Sequence, residues 1–185
     1  MSGLLGQVYS SQGRLEEALK MHKWALRVFR HDEDESYLVA SEIESIGSLF
    51  RELEQYDRAM KKYQEAYEMR CRLFGDDHGT VAQVLGGMAS VLNDQGKSSE
   101  SIAMQEKALE IKRRTVSADD DSVAHLLLNL GNFYEKQGMS GEALARLEEG
   151  LSIVRRNHAE RNIVEGSILC GIGQVYSHQG KLEDA

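Results

Sequence analysis

Apolar and small residues return at three- and four-residue steps along most of the chain. Leu15, Ala18, Leu19, His22, Ala25, Leu26 and Phe29 fall on one face of a helix, and Tyr56, Ala59, Met60, Tyr63, Ala66, Tyr67 and Leu73 draw the same stripe further on. Strand-like alternation of apolar and polar residues is absent. The pattern therefore predicts helix, tight turn, helix. The turns are marked by Gly13, Gly96, Gly138 and Gly180, where a left-handed backbone costs least. Glu54 stands where the second turn needs the same backbone, which predicts a strained or altered turn there. Acidic clusters at Asp32-Glu33-Asp34-Glu35, Asp76-Asp77 and Asp119-Asp120-Asp121 precede new apolar stripes. Aspartate at those points is expected to cap free N–H groups and to meet the positive end of the helix dipole.

These hairpins are copies of one unit. The stretch GQVYSSQGRLEEA from Gly6 returns as GQVYSHQGKLEDA from Gly173, with ten of thirteen residues identical. A small residue recurs at Gly6, Gly47, Ala89, Gly131 and Gly173, in steps of 41, 42, 42 and 42. A second small series (Ala18, Ala59, Ser101, Ala143, Ala185) and a large one (Tyr9, Phe50, Leu92, Tyr134, Tyr176) keep the same register. Self-similarity at a fixed period implies a linear stack in which each unit touches its neighbours rather than one closed core. The expected fold is all-α, a solenoid of stacked antiparallel helix hairpins. It forms a single array over 1–185, with units at about 1–34, 35–76, 77–118 and 119–160 and a truncated fifth at 161–185.

Composition narrows the function. The chain has no proline, so nothing forbids long helices. Thirty acidic residues against 22 lysines and arginines give a net charge of −8. A nucleic-acid surface needs a basic stripe. The basic runs Lys112-Arg113-Arg114 and Arg155-Arg156 instead close second helices, where cations suit the dipole. No run of about 20 apolar residues offers a membrane span. Cys71 and Cys170 lie more than two units apart, beyond disulfide reach in a stack, and point to reduced thiols in a cytoplasmic protein. Gly96-Lys97-Ser98 ends like a phosphate-binding loop, but the glycine required five residues earlier is Val91. The Asp119-Asp120-Asp121 run lacks the glutamate of a calcium loop, whose position falls on Leu130. The histidines are scattered without a ligand pair, and His22 sits in a core slot, which suits a packed, hydrogen-bonded ring. No catalytic constellation, metal site or cofactor is expected, and the chain reads as no enzyme.

Leu130-Gly131-Asn132-Phe133-Tyr134, followed by Gly138 and Ala143, resembles the tetratricopeptide repeat (TPR) pattern. The usual period of that family is about 34 residues. The longer period here, with Leu73-Phe74-Gly75-Asp76-Asp77-His78-Gly79-Thr80-Val81-Ala82 and Glu106-Lys107-Ala108-Leu109-Glu110-Ile111-Lys112, is similar to the kinesin light chain-like subgroup. Where that subgroup places proline after the histidine, Gly79 stands here. The resemblance implies a right-handed superhelix whose concave groove is lined by the first helix of each unit. It also implies a scaffold that binds a peptide or protein segment there.

The register places Gln7, Ser10, Ser41, Ser45, Ser48, Arg51, Gln83, Ser90 and Asn93 on that wall. It continues with His125, Asn129, Asn132, Glu135, Ser167, Gln174 and Ser177. The set is rich in amides and hydroxyls, which can pair with a peptide backbone. Asn129 and Asn132 match positions where related repeats present asparagine to a bound backbone. Arg51 is the main cation on this wall, which argues against an acidic ligand and for an apolar or neutral one. Trp24 leaves the packed face of its helix, and partial cover by a neighbouring unit is expected. By the family register the first helix starts before Met1 and the last stops at Ala185, as in a piece of a longer array. Ile168, Ile172 and Tyr176 would then form an uncapped edge, predicting end-to-end self-association. Two other readings stay open: a structural or oligomerisation arm, and a regulatory sensor region of a larger enzyme-containing protein.

Overall fold

The computed structural model describes residues 2–32, 35–116, 120–158 and 163–180. Every regular element among them is a helix: α1 (Ser2–Ser11), α2 (Leu15–Asp32), α3 (Tyr37–Glu52), α4 (Tyr56–Phe74), α5 (Gly79–Asp94), α6 (Ser98–Thr115), α7 (Asp121–Lys136), α8 (Ser140–Asn157) and α9 (Ile163–His178). The chain divides into two compact units, residues 1–95 and 96–185. In the first, α1 pairs with α2 and α3 with α4, while α2 packs on α3 and α4 on α5. In the second, α6 packs on α7, α7 pairs with α8, and α9 rests on α8 and α7. Of the expected unit boundaries, those near 34, 118 and 160 fall on or beside residues outside the described set.

The turns explain themselves residue by residue. Gly13, Gly96, Gly138 and Gly180 have φ between 72° and 75°, and Glu54 has 57°. After α3 the Gln55 N–H donates to the Phe50 carbonyl (2.8 Å) and the Glu54 N–H to the Arg51 carbonyl (2.9 Å). The turn after α7 repeats this, with Met139 donating to Tyr134 and Gly138 to Glu135. Both are Schellman ends. The second turn thus keeps the shape of the others, and Glu54 carries the strain of a left-handed residue with a side chain.

The small series marks close helix approach. A Cβ on Gly6 would stand 2.5 Å from the His22 ring, and one on Gly131 would stand 2.6 Å from Leu147 Cγ. Ala18, Ala59, Ser101 and Ala143 are all fully buried, while Ala185 lies outside the described residues. His22, Tyr63 and Leu147 rest on Gly6, Gly47 and Gly131, and Gln105 shares their register; the four differ in chemistry and all are buried. Neither amide atom of Gln105 is hydrogen-bonded.

Two sequence expectations are corrected. Ser36 caps α3 by accepting from the Val39 N–H, and the His78 ring caps α5 by accepting from Thr80, so aspartate holds the cap only at Asp120 of α7. The reason is spacing: the first two acidic clusters end one residue short of the cap, and Asp32 instead closes α2. Ile168, placed on an exposed edge, is fully buried, while Ile172 and Tyr176 are half-buried. Trp24 is 53% exposed, so part of its surface is covered.

One buried charge has no forerunner in the pattern. Arg70 of α4 is fully buried. It donates to the Thr80 carbonyl (2.6 Å) and to Glu44 (2.5 Å), tying α5 and α3 to α4. Burial pushes the Glu44 carboxyl above its usual range, and the Arg70 guanidinium pulls against that shift.

Candidate functional site

First helices carry the candidate wall in each unit. In the first unit it comprises Ser48 and Arg51 on α3 with Gln83, Ser90 and Asn93 on α5. Ser48, Arg51, Ser90 and Asn93 are half-buried and Gln83 is exposed. Arg51 is committed to Asp94 across to α5 (3.3 Å), so the wall's cation is neutralised within the wall. Ser90 donates to the Gly86 carbonyl (3.0 Å), and the Gln83 amide oxygen accepts from Arg70 (3.4 Å). These serines and glutamines therefore present acceptor lone pairs and amide donors more than free hydroxyl protons.

In the second unit the wall is His125, Asn129, Asn132 and Glu135 on α7 with Gln174 on α9. His125, Asn129 and Gln174 are exposed. Asn132 is half-buried, and its amide oxygen lies 3.2 Å from where a Cβ on Gly171 would stand, so it occupies the seam between α7 and α9. Glu135 pairs with His178 of α9 at 2.5 Å. The two asparagines thus sit on one helix but differ in access: Asn129 is open and Asn132 faces a neighbour.

A cleft of about 310 Å³ opens in the first unit between α1 and α3. Gln7, Ser10 and Ser11 line it from α1, Ser45, Ser48, Leu49 and Glu52 from α3, and His22 of α2 forms its floor. His22 is 3% exposed, and its Nδ1 lies 2.7 Å from Glu42 Oε2. Ser48 is hydrogen-bonded to the buried Tyr63 phenol, which burial otherwise pushes up.

Family comparison agrees with this architecture. A tetratricopeptide repeat model matches residues 38–114 and 122–185, and a second tetratricopeptide repeat model matches residues 3–31. The chain belongs to the tetratricopeptide repeat family. Among solved structures, BtubC (BKLC) from P. vanneervenii matches with a TM-score of 0.84 at 20% identity, over 100% of this chain and 74% of that one. A Podosopora anserina protein named for kinesin light chain, with nearly identical TPR-like repeats, matches with a TM-score of 0.79 at 14% identity. That match covers 99% of this chain and 87% of that one. A point variant of it matches at 0.80 and 14%. At these identities the likeness speaks for the fold, a kinesin light chain-like TPR solenoid. No curated protein matches the chain.

TPR arrays are protein–protein interaction modules, and the fold is generally non-catalytic. Among the described residues of this TPR chain no helix is long and apolar enough to cross a membrane, and no cluster of His, Cys, Asp or Glu could hold a metal ion. Two elements of the wall escaped the sequence reading. One is the pairing of Arg51 with Asp94, which Asp94's place near the end of a first helix could have suggested. The other is the cleft over His22, for which the serine spacing on α1 and α3 was the only signal.

Proposed function

We propose that this TPR chain is a non-enzymatic scaffold that holds an extended peptide or protein segment along its first helices. The observation that carries the reading is the chemistry of those walls. Amides and hydroxyls of α3, α5, α7 and α9 stand half-buried or exposed, while the cation Arg51 is already paired. Such a surface matches a peptide backbone and offers little to an acidic clamp ligand. Ser48, Arg51, Gln83, Ser90 and Asn93 serve one unit, and His125, Asn129, Asn132, Glu135 and Gln174 serve the other. The preferred ligand is apolar or neutral in most of its length. The thiols of Cys71 and Cys170 suit a reducing, cytoplasmic setting.

A peptide array probed with the wild-type chain, Asn129→Ala and Asn132→Ala tests this. Peptides that bind wild type should weaken by about fivefold to twentyfold with each variant, the cost of a lost hydrogen-bond partner. Binding that survives both changes undiminished would move the site off α7.

End-to-end self-association has an observation of its own. On α1 and α2, Leu5 (49% exposed), Val8 (49%) and Val28 (40%) stand open, whereas their register mates Ile46, Leu49 and Met69 are 1%, 3% and 4% exposed. Light scattering at rising concentration should show mass growth. A constant monomer mass would remove this part of the reading.

A further inference from the structure

We propose that the cleft between α1 and α3 is a lysine-binding subsite, taking the primary ammonium of one lysine side chain from the docked segment. This rests on the scaffold reading above and names what one part of the wall selects.

The walls of the cleft can accept hydrogen bonds far better than they can donate them. Ser11 Oγ donates its proton to the Val8 carbonyl at 2.8 Å, and Ser45 Oγ donates to the Ser41 carbonyl at 3.0 Å. The Ser48 hydroxyl is engaged with the Tyr63 phenol. With their protons committed, the Ser11 and Ser45 hydroxyls offer lone pairs to the cavity. Glu52 adds a carboxylate at the end of α3, and Gln7 an amide. On the floor, the buried His22 ring has its Nδ1 2.7 Å from Glu42 Oε2 and packs its Nε2 edge against Gly6 of α1.

Charge points the same way. No lysine or arginine lines the cleft. Glu52 stands at the rim and Glu42 behind the imidazole, so the group is negative whether the ring is neutral or charged. Nearby cations are engaged elsewhere: Arg51 with Asp94, and Arg14 with Glu17 while lying over the Tyr9 ring. Single acceptors spread over both helices suit the three-donor ammonium of lysine. A guanidinium's planar fork would engage the two Glu52 oxygens and leave the serine acceptors unused. At about 310 Å³ the cleft has room for one side chain of that length.

The test is an NMR titration of the full chain with N-acetyl-lysine-N-methylamide. Controls are the norleucine analogue, which keeps the stem without the charge, the arginine analogue, and glycine-N-methylamide, which carries a free α-amine. The lysine probe should shift the backbone amides of Gln7, Ser11, Ser45, Ser48 and Glu52 saturably, and more tightly than all three controls. Glu52→Gln, at an exposed position, should weaken the lysine probe about threefold, the scale of one partly exposed ion pair, and leave norleucine unchanged. Equal affinity for lysine and norleucine, tighter binding of the free α-amine, shifts mapping elsewhere, or no saturable shift would each overturn the subsite. If array peptides still bind and still depend on Asn129 or Asn132, the scaffold reading survives that loss. If they bind nowhere, it falls separately.

Discussion

Glu54 is the residue that most plainly bears a cost. Its four counterparts are glycines at the same left-handed backbone, and its turn makes the same two hydrogen bonds as the turns at Gly13 and Gly138. Nothing in the turn requires the side chain, which is exposed. Glu54→Gly should therefore raise stability by about 1 kcal/mol, read as a higher urea midpoint at unchanged slope. An unchanged or lower midpoint would mean the carboxylate contributes something the geometry does not show. Asp120 works in the opposite sense. Its carboxylate accepts from the Ser122 hydroxyl and from the Ser122 N–H (2.8 Å), and those bonds hold it below the ordinary aspartate range. A carboxyl depressed by folding stabilises the fold above its unfolded pKa, near 4, and loses that contribution as pH falls through the lower folded value. Asparagine keeps the cap acceptor but cannot ionise. Wild type should thus exceed Asp120→Asn in stability at neutral pH, and the gap should close in acid. A gap independent of pH across urea titrations would remove the titrating cap from the explanation.

At the scale of elements, α5 shows how a cap and a first turn cooperate. His78 caps with an extended backbone (φ −81°, ψ 142°), a conformation also suited to the residue before proline. Gly79 is the first helical residue, where a missing N–H costs nothing and a fixed φ helps. Gly79→Pro should add about 0.4–1 kcal/mol, chiefly by restricting the unfolded chain, and calorimetry should show a raised Tm. A lowered Tm would mean that the Gly79 N–H or its φ matters. The helices and turns were legible in the sequence because they depend on neighbours three, four or 42 residues away. The series from Gly6 and from Ala18 fixed both the faces and their contacts. Arg70 was not legible: its burial depends on Glu44, 26 residues back, and on a backbone carbonyl at Thr80. The candidate wall was legible as a set of positions. Whether Asn132 meets solvent or Gly171 was not, since that turns on ångström-scale spacing between α7 and α9.

Across the whole molecule, stability should be uneven. The middle helices bury long runs of side chains, as Val81, Ala82, Val84 and Leu85 on α5 and Val123, Ala124, Leu126 and Leu127 on α7 show. On α1 only Gly6 is buried among the described side chains, and α9 buries Ile168, Gly171 and Val175. In an array where each helix leans on its neighbours, such terminal elements open first. Hydrogen exchange should release α1 fastest, α9 next, and α3, α4, α7 and α8 last. Uniform protection across all helices would instead indicate one cooperative block. The positions of His22, Tyr63, Gln105 and Leu147 bear on how such a chain can change over time. Tyr63 fits because Gly87 leaves it room, whereas the matching site above His22 holds Ser45. Transplanting the Tyr63 helix into the first hairpin would drive a phenol ring into that serine. Gaining or losing a whole hairpin in this lineage would therefore demand matched substitutions on two helices at once.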